Sequence, residues 1–235
     1  MNIYFLVFLI SSVSCLILET PEFDEAEAKD CTSGAGTFYN FTVLGLNLEQ
    51  KPLEAYKGKI VLVVNVATFW KYSNQYQGLY DLKDDLGKRN NGGTCSFDIA
   101  AFPSNQFGAF EPGVNSEILN GLKHVRPGNG FVPNFEIFGK INVNGISEHP
   151  VYRFLKNHCP APKGFIANQF TLGWQMVRND DISWNFVKFL LNHEGKPVSR
   201  YGPTVYPTRL RNHIETLMAK CVTETAKSTR SFISP

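Results

Sequence analysis

The 235-residue sequence lacks a strong excess of either charge. Its 23 Lys and Arg residues nearly balance 21 Asp and Glu residues, which leaves a formal net charge of +2. A protein that binds nucleic acid needs a concentrated basic footprint, so this balance argues against nucleic acid as a partner. The 19 Gly and 13 Pro residues are also too few for a low-complexity chain. We therefore expect one globular domain with a sizeable core.

Long apolar runs are missing after the first few residues. Residues 1–15 hold an apolar run followed by small residues, which is the arrangement of a signal peptide. We predict cleavage near residues 15–19 and a secreted, extracellular protein. No later stretch has 18 or more apolar residues, so we expect no membrane-spanning helix and no membrane partner. Residues 16–36 are rich in acids and predict a solvated lead-in to the domain.

Cysteines at the close spacing of zinc sites are absent as well. Four cysteines follow the signal peptide, far apart along the chain: Cys31, Cys95, Cys159 and Cys221. Their spacing excludes a Cys-x-x-Cys zinc site, and the five histidines share no metal-ligand spacing, so we expect no metal. An oxidising compartment permits disulfides, and four cysteines allow three pairings. Cys31 and Cys159 are one candidate pair, with two buried thiols as the alternative. Asn40-Phe41-Thr42 is a candidate N-glycosylation acceptor.

Hydrophobic patterning predicts an α/β fold. The β-branched run from Lys59 to Thr68 predicts a central strand buried on both faces, and residues 96–102 predict a second one. Ser73 can cap a helix to about Lys88 between them, which makes a parallel strand-helix-strand unit. Alternation over residues 37–48 predicts an N-terminal β-hairpin. Further predicted elements are helices at 115–125, 149–159 and 210–221, a strand at 134–143, a hairpin of 184–191 with 196–201, and a frayed polar tail at 222–235.

The turn between the first buried strand and its helix is the place where we expect chemistry, because ligands and nucleophiles collect at the carboxyl ends of strands. Three motifs in this sequence resemble those of the glutathione peroxidase family: Asn65-Val66-Ala67-Thr68-Phe69-Trp70, Phe102-Pro103-Ser104-Asn105-Gln106-Phe107-Gly108 and Trp184-Asn185-Phe186-Val187-Lys188-Phe189-Leu190. The resemblance extends from about Cys31 to about Cys221 and is greatest to the secreted, plasma-type branch.

The resemblance implies a fold and an activity. It implies a thioredoxin-like domain at residues 37–221, with a central mixed sheet flanked by helices. It also implies thiol-dependent reduction of hydrogen peroxide or organic hydroperoxides in the antioxidant response. Glutathione or another thiol would be the co-substrate, and no other cofactor is needed. Pro112–Gly145 resembles the loop and helix that build tetramers in this family, so we expect a homotetramer.

The resemblance also assigns residues to the site. In the family, a selenocysteine or cysteine attacks the peroxide, and a Gln, a Trp and an Asn donate hydrogen bonds to it. Their counterparts here are Gln106, Trp184 and Asn185, whose amide or indole N–H groups can donate to an anion. Without the flanking motifs, Trp184 would fit a buried hairpin and Gln106 a turn cap. Arg126 matches one of the arginines that hold the carboxylates of glutathione.

The departure from the family lies at position 70. Trp70 stands at the nucleophile position, and an indole has no lone pair that can displace oxygen from a peroxide. Either Trp70 is genuine and the protein is a secreted pseudoenzyme with a binding or structural role, or position 70 is a misread Cys or selenocysteine and the protein is a peroxidase. A third interpretation makes Cys95 a substitute nucleophile, but Cys95 precedes its strand and so lies away from the site.

Overall fold

The computed structural model describes residues 27–162 and 169–233, so the predicted signal peptide lies outside the described residues. The strands in this part of the chain are β1 (Ala28–Asp30), β2 (Thr42–Leu44), β3 (Gln50–Pro52), β4 (Ile60–Val66), β5 (Phe97–Pro103), β6 (Glu136–Ile137), β7 (Lys188–Leu191) and β8 (Pro197–Tyr201). The α-helices are α1 (Gln75–Leu86), α2 (Asn115–His124), α3 (Pro150–His158) and α4 (Arg211–Ile233).

A six-stranded mixed sheet organises the described residues, in the order β1-β8-β7-β4-β5-β6. Strand β4 lies inside it, parallel to β5 and antiparallel to β7. All seven residues of β4 are buried because both faces of the sheet are covered. Alternate residues of β4 pack against α1 and α4 on one face and against α3 on the other. The predicted α/β fold, with its parallel strand-helix-strand unit, is thereby confirmed.

Several elements differ from the sequence prediction in extent. The N-terminal hairpin consists of β2 and β3, because residues 38–40 form a 3₁₀ turn. Of the strand predicted for residues 134–143, only the two residues of β6, Glu136 and Ile137, form a β-strand. Trp184 was predicted to lie in a strand, but it precedes β7, because Phe186 has a φ of 65° and breaks the extended chain.

The two ends of the domain carry more structure than the sequence predicted. Part of the acidic lead-in forms β1, which pairs antiparallel with β8 at the edge of the sheet. Glu27, which precedes β1, accepts hydrogen bonds from the guanidinium of Arg209 at 2.6 and 3.1 Å. The tail predicted to fray from residue 222 continues α4 to Ile233, in a segment without Gly or Pro.

Two disulfides join distant parts of the chain. Cys31 is bonded to Cys159, which ties the residue after β1 to the end of α3. Cys95 is bonded to Cys221, which ties the residues before β5 to α4. Since Cys95 carries no free thiol in this arrangement, it is not available as a substitute nucleophile.

One lysine is buried in the sheet without a charged partner. Lys188 lies in β7 with no exposed surface, on the face that α1 and α4 cover. Its ammonium donates a hydrogen bond to the carbonyl of Phe186 at 2.7 Å, and no carboxylate pairs with it within residues 27–162 and 169–233. Burial lowers the pKa of Lys188 well below its ordinary value. A charge at this position therefore opposes folding.

We predict that Lys188→Met stabilises the protein at pH 7. Because the pKa is lower in the folded state, the unfolded state binds more protons, and this cost to stability disappears as the pH rises toward the ordinary pKa of lysine. The free energy of unfolding, measured in urea, should rise by about 1 kcal/mol or more at pH 7. The gain should shrink at pH 10. The exposed Lys57→Met variant is the matched control, and a less stable Lys188→Met variant at pH 7 would contradict the prediction.

Candidate functional site

The loop between β4 and α1 brings the first motif to the carboxyl end of the sheet. Thr68 is buried, and both its amide and its hydroxyl donate to Glu111 at 2.9 Å. The chain then turns tightly, and the amide of Ser73 donates to the carbonyl of Trp70. Ser73 was predicted as the cap of the helix, but α1 begins two residues later, with Asn74 at the capping position. The turn holds residue 70 at the mouth of the site.

Trp70 packs into an aromatic cluster. Its ring centroid lies 4.9 Å from that of Phe110, 5.4 Å from that of Trp184 and 5.7 Å from that of Tyr72. The indole is half-buried, and its Nε1 is fully buried with no hydrogen-bond partner in the described part of the chain. The side chain therefore occupies the space beside Trp184, which the family pattern assigns to the reacting atom.

Gln106 is buried but directed at another part of the chain. Its Nε2 donates to the carbonyl of Asn144 at 3.0 Å. Its Oε1 accepts from the amides of Val143 and Asn144 at 2.7 and 3.0 Å. Both ends of the amide are thus bonded to one backbone segment, and the structure does not hydrogen-bond Gln106 to residue 70.

Trp184 and Asn185 lie at the base of the site. The carbonyl of Trp184 accepts from Asn65 Nδ2 at 2.9 Å, which fixes the segment before β7 to the end of β4. The Nε1 of Trp184 is buried without a partner among the described residues. Asn185 is fully buried, and its Nδ2 donates to the carbonyl of Phe107 at 3.3 Å. Of the three predicted donors, the structure places the Trp184 ring directly against residue 70.

Arg126 lies at the rim. Its side chain is exposed, and Nη1 donates to the carbonyl of Phe69 at 3.2 Å. The residue predicted to bind a thiol substrate is therefore placed beside the loop that carries Trp70.

Sequence reasoning missed a buried polar network behind Gln106. The ammonium of Lys156 contacts Glu148 at 2.5 Å, Asp181 at 2.8 Å and the side-chain oxygen of Asn144 at 3.2 Å. Asp181 also accepts a hydrogen bond from Trp174 Nε1 at 2.9 Å. The network fixes Asn144, and through it the amide of Gln106. Lys156 is 12 positions from Asn144 and 25 positions from Asp181, so no local sequence motif marks the network.

Three further features are absent from the described residues: a metal-binding cluster, a membrane-spanning helix and a free cysteine. Residues 27–162 and 169–233 contain no group of three or more His, Cys, Asp or Glu side chains that could hold a metal ion. Within the same residues, no helix has the length and apolar character needed to cross a membrane. The four described cysteines are all in disulfides.

Comparison with known proteins identifies the family. The family model described as Glutathione peroxidase matches residues 38–156. The chain belongs to the glutathione peroxidase family. The glutathione peroxidase of Dirofilaria immitis is 44% identical over 180 residues, which are 76% of this chain and 79% of the relative. The epididymal secretory glutathione peroxidase of Rattus norvegicus is 40% identical over 202 residues, covering 86% of this chain and 88% of the relative.

Solved structures of glutathione peroxidases share the fold. The crystal structure of Trgpx in its apo form has a TM-score of 0.56 and 29% identity, and the match covers 79% of this chain and 97% of that one. The crystal structure of T. cruzi GPX1 has the same TM-score and 26% identity, covering 78% and 97%. The predicted thioredoxin-like fold of this glutathione peroxidase family member is confirmed.

The buried carboxyl of Glu111 makes the stability of the site loop depend on pH. Burial raises the pKa of Glu111 despite its two hydrogen bonds from Thr68. The folded state therefore binds more protons than the unfolded state just above the ordinary pKa of glutamate, and the ionised carboxylate opposes folding at higher pH.

We predict that Glu111→Gln becomes more favourable as the pH rises. The difference in free energy of unfolding between the variant and the natural protein should increase from pH 4 to pH 7, because the amide avoids the cost of the buried ionised carboxylate. Urea unfolding at four pH values measures this difference. Glu49→Gln, at an exposed position, is the control. If this difference fell with rising pH, Glu111 would not be a buried carboxyl with a raised pKa, and the prediction would be contradicted.

Proposed function

We propose that the chain with Trp70 is a pseudoperoxidase: a secreted member of the glutathione peroxidase family that binds a partner or ligand and does not reduce hydroperoxides. The packing of the Trp70 indole against Trp184 is the observation that carries this proposal. Peroxide reduction by the family's route needs a thiolate or selenolate at this position. The four cysteines of the described residues are all oxidised, so none of them supplies it.

The orientation of Gln106 adds support. A donor that stabilises an anionic nucleophile must direct its N–H group at that atom. In this chain the amide is bonded to the backbone of Val143 and Asn144 at both ends. The buried network around Lys156 holds that backbone segment in place. This arrangement fits a binding scaffold in which Trp70 occupies the position of the nucleophile and Gln106 is held by hydrogen bonds to the backbone.

A working peroxidase is the second candidate, and one observation favours it. The Nε1 of Trp184 is buried without an acceptor, which costs stability, and a thiolate or selenolate at position 70 would be a suitable acceptor. Cys codons and the selenocysteine codon each differ from the Trp codon by one base. If residue 70 were Cys or selenocysteine, the substrates would be a hydroperoxide and a thiol such as glutathione.

Secretion is supported by the relatives and by the disulfides. Relatives include an epididymal secretory glutathione peroxidase and a cuticular glutathione peroxidase of Wuchereria bancrofti, 41% identical over 193 residues. Two disulfides suit an oxidising compartment. Asn40 is exposed, and its Oδ1 accepts two hydrogen bonds from Thr37, so its amide nitrogen is left for a glycan. These observations together fit a protein that acts outside the cell.

The identity of residue 70 and the activity are tested together. We predict that intact mass and peptide mapping of the natural protein across Lys59–Lys83 find Trp70; the same data report any glycan at Asn40. The natural chain should consume hydrogen peroxide with glutathione no faster than a Trp70→Ser variant. Trp70→Cys should exceed Trp70→Ser by about tenfold or more, because a thiolate beside the Trp184 indole supplies the missing nucleophile.

Two results would overturn the pseudoperoxidase. One is Cys or selenocysteine at position 70 of the natural protein. The other is thiol-dependent peroxide turnover by the purified Trp70 chain that Trp70→Ser abolishes.

We further infer a homotetramer built on Pro112–Gly145, the segment that contains α2. Four large apolar side chains of this segment are 46–62% exposed: Val114, Leu119, Val125 and Val132. Exposed apolar side chains grouped on one segment are the kind of surface that a subunit interface buries.

Light scattering after size exclusion should therefore give four times the monomer mass. Leu119→Glu should shift the population to smaller species, because a charge in a subunit interface is costly. Val222→Glu, on the exposed side of α4, should leave the mass unchanged. A monomer at micromolar concentration for the natural chain would contradict the assembly.

A further inference from the structure

Lys71 lies over two aromatic rings beside the blocked site. Its ammonium is 5.6 Å from the ring centroid of Trp70 and 4.9 Å from that of Tyr72. Both distances are within the range of cation–π attraction. Lys71 is exposed, and no carboxylate among the described residues pairs with it. The two rings are therefore the groups that attract this cation.

The two rings form a corner of fixed shape. Their planes meet at 82°, with centroids 5.7 Å apart, so a cation can contact both at once. Phe110 and Trp184 pack behind Trp70 and hold its indole. Both Trp70 and Tyr72 are half-buried, which leaves part of each ring accessible. We call this pair of rings the Trp70–Tyr72 corner.

The corner has the chemistry that binds weakly hydrated cations. Tryptophan is the strongest cation–π partner, and cages of aromatic rings hold quaternary ammonium groups. The lysine ammonium is a strongly hydrated charge on a flexible stem, so it leaves an exposed corner at little cost. A trimethylammonium group has no N–H to satisfy and presents methyl groups to the rings.

We propose that the Trp70–Tyr72 corner binds a small trimethylammonium ligand of the choline class, and that Lys71 is an internal cation which such a ligand displaces. This inference rests on the proposed function, because it names the ligand class of the filled site. The residue that removes the peroxidatic group also supplies the better of the two rings.

The test titrates the recombinant Trp70 chain with tetramethylammonium and with choline by calorimetry. Binding should be saturable, and 3,3-dimethylbutanol, the uncharged isostere of choline, should not compete. Lys71→Ala should bind choline about two- to fivefold more tightly, because the internal competitor is removed. Tyr72→Phe should retain binding and Tyr72→Leu should lose it, with circular dichroism to show that each variant is folded.

The outcomes separate this proposal from the pseudoperoxidase. Equal binding of choline and its uncharged isostere, equal affinity of Lys71→Ala and the natural chain, or unchanged binding by folded Tyr72→Leu would each overturn the cation site. The pseudoperoxidase proposal is tested separately, by the identity of residue 70 from peptide mapping and by the rate of peroxide turnover. Sedimentation with phosphatidylcholine vesicles that depends on Tyr72 would identify a lipid headgroup as the source of the ligand, and choline binding without it would identify a free compound.

Discussion

The contact between the indoles of Trp70 and Trp184 governs this end of the molecule. It exists because β4 and β7 are antiparallel neighbours, so the residues after one strand meet the residues before the other. The hydrogen bond from Asn65 to the carbonyl of Trp184 fixes the two segments to each other. Any side chain at position 70 must fit against the second indole. A small polarisable atom there could accept its N–H group, whereas a second indole leaves both N–H groups unpaired.

The polar interior behind the site shows how the scaffold remains rigid around this contact. The ammonium of Lys156 is shared by two carboxylates and the side chain of Asn144, all of them buried. Networks of this kind stabilise a fold when every member is satisfied and are costly to break. The backbone carbonyl and amide of Asn144 also hydrogen-bond the side-chain amide of Gln106. The network therefore sets the direction of a side chain that the family pattern assigns to the reaction. The same buried network therefore makes this region rigid and directs Gln106 at the backbone of residues 143 and 144.

The sequence predicted the parts of the fold that depend on local pattern. The β-branched run of β4 and the motif that follows it located both the sheet and the site. The direction of Gln106 could not be predicted, since it depends on a backbone segment 37 positions away. Strand β1 was missed because its partner β8 is far along the chain. The helical end of α4 was missed because a polar segment without amphipathic spacing carries no packing signal.

The two disulfides determine what a proteolytic cut does to the chain. Cys31–Cys159 and Cys95–Cys221 enclose overlapping stretches of the chain, with separations of 128 and 126 positions. Every peptide bond between residues 31 and 221 lies inside at least one of these covalent rings. A single proteolytic cut anywhere in that range leaves the two fragments joined by a disulfide. A nicked copy would thus remain one covalently linked molecule until a reductant reached it.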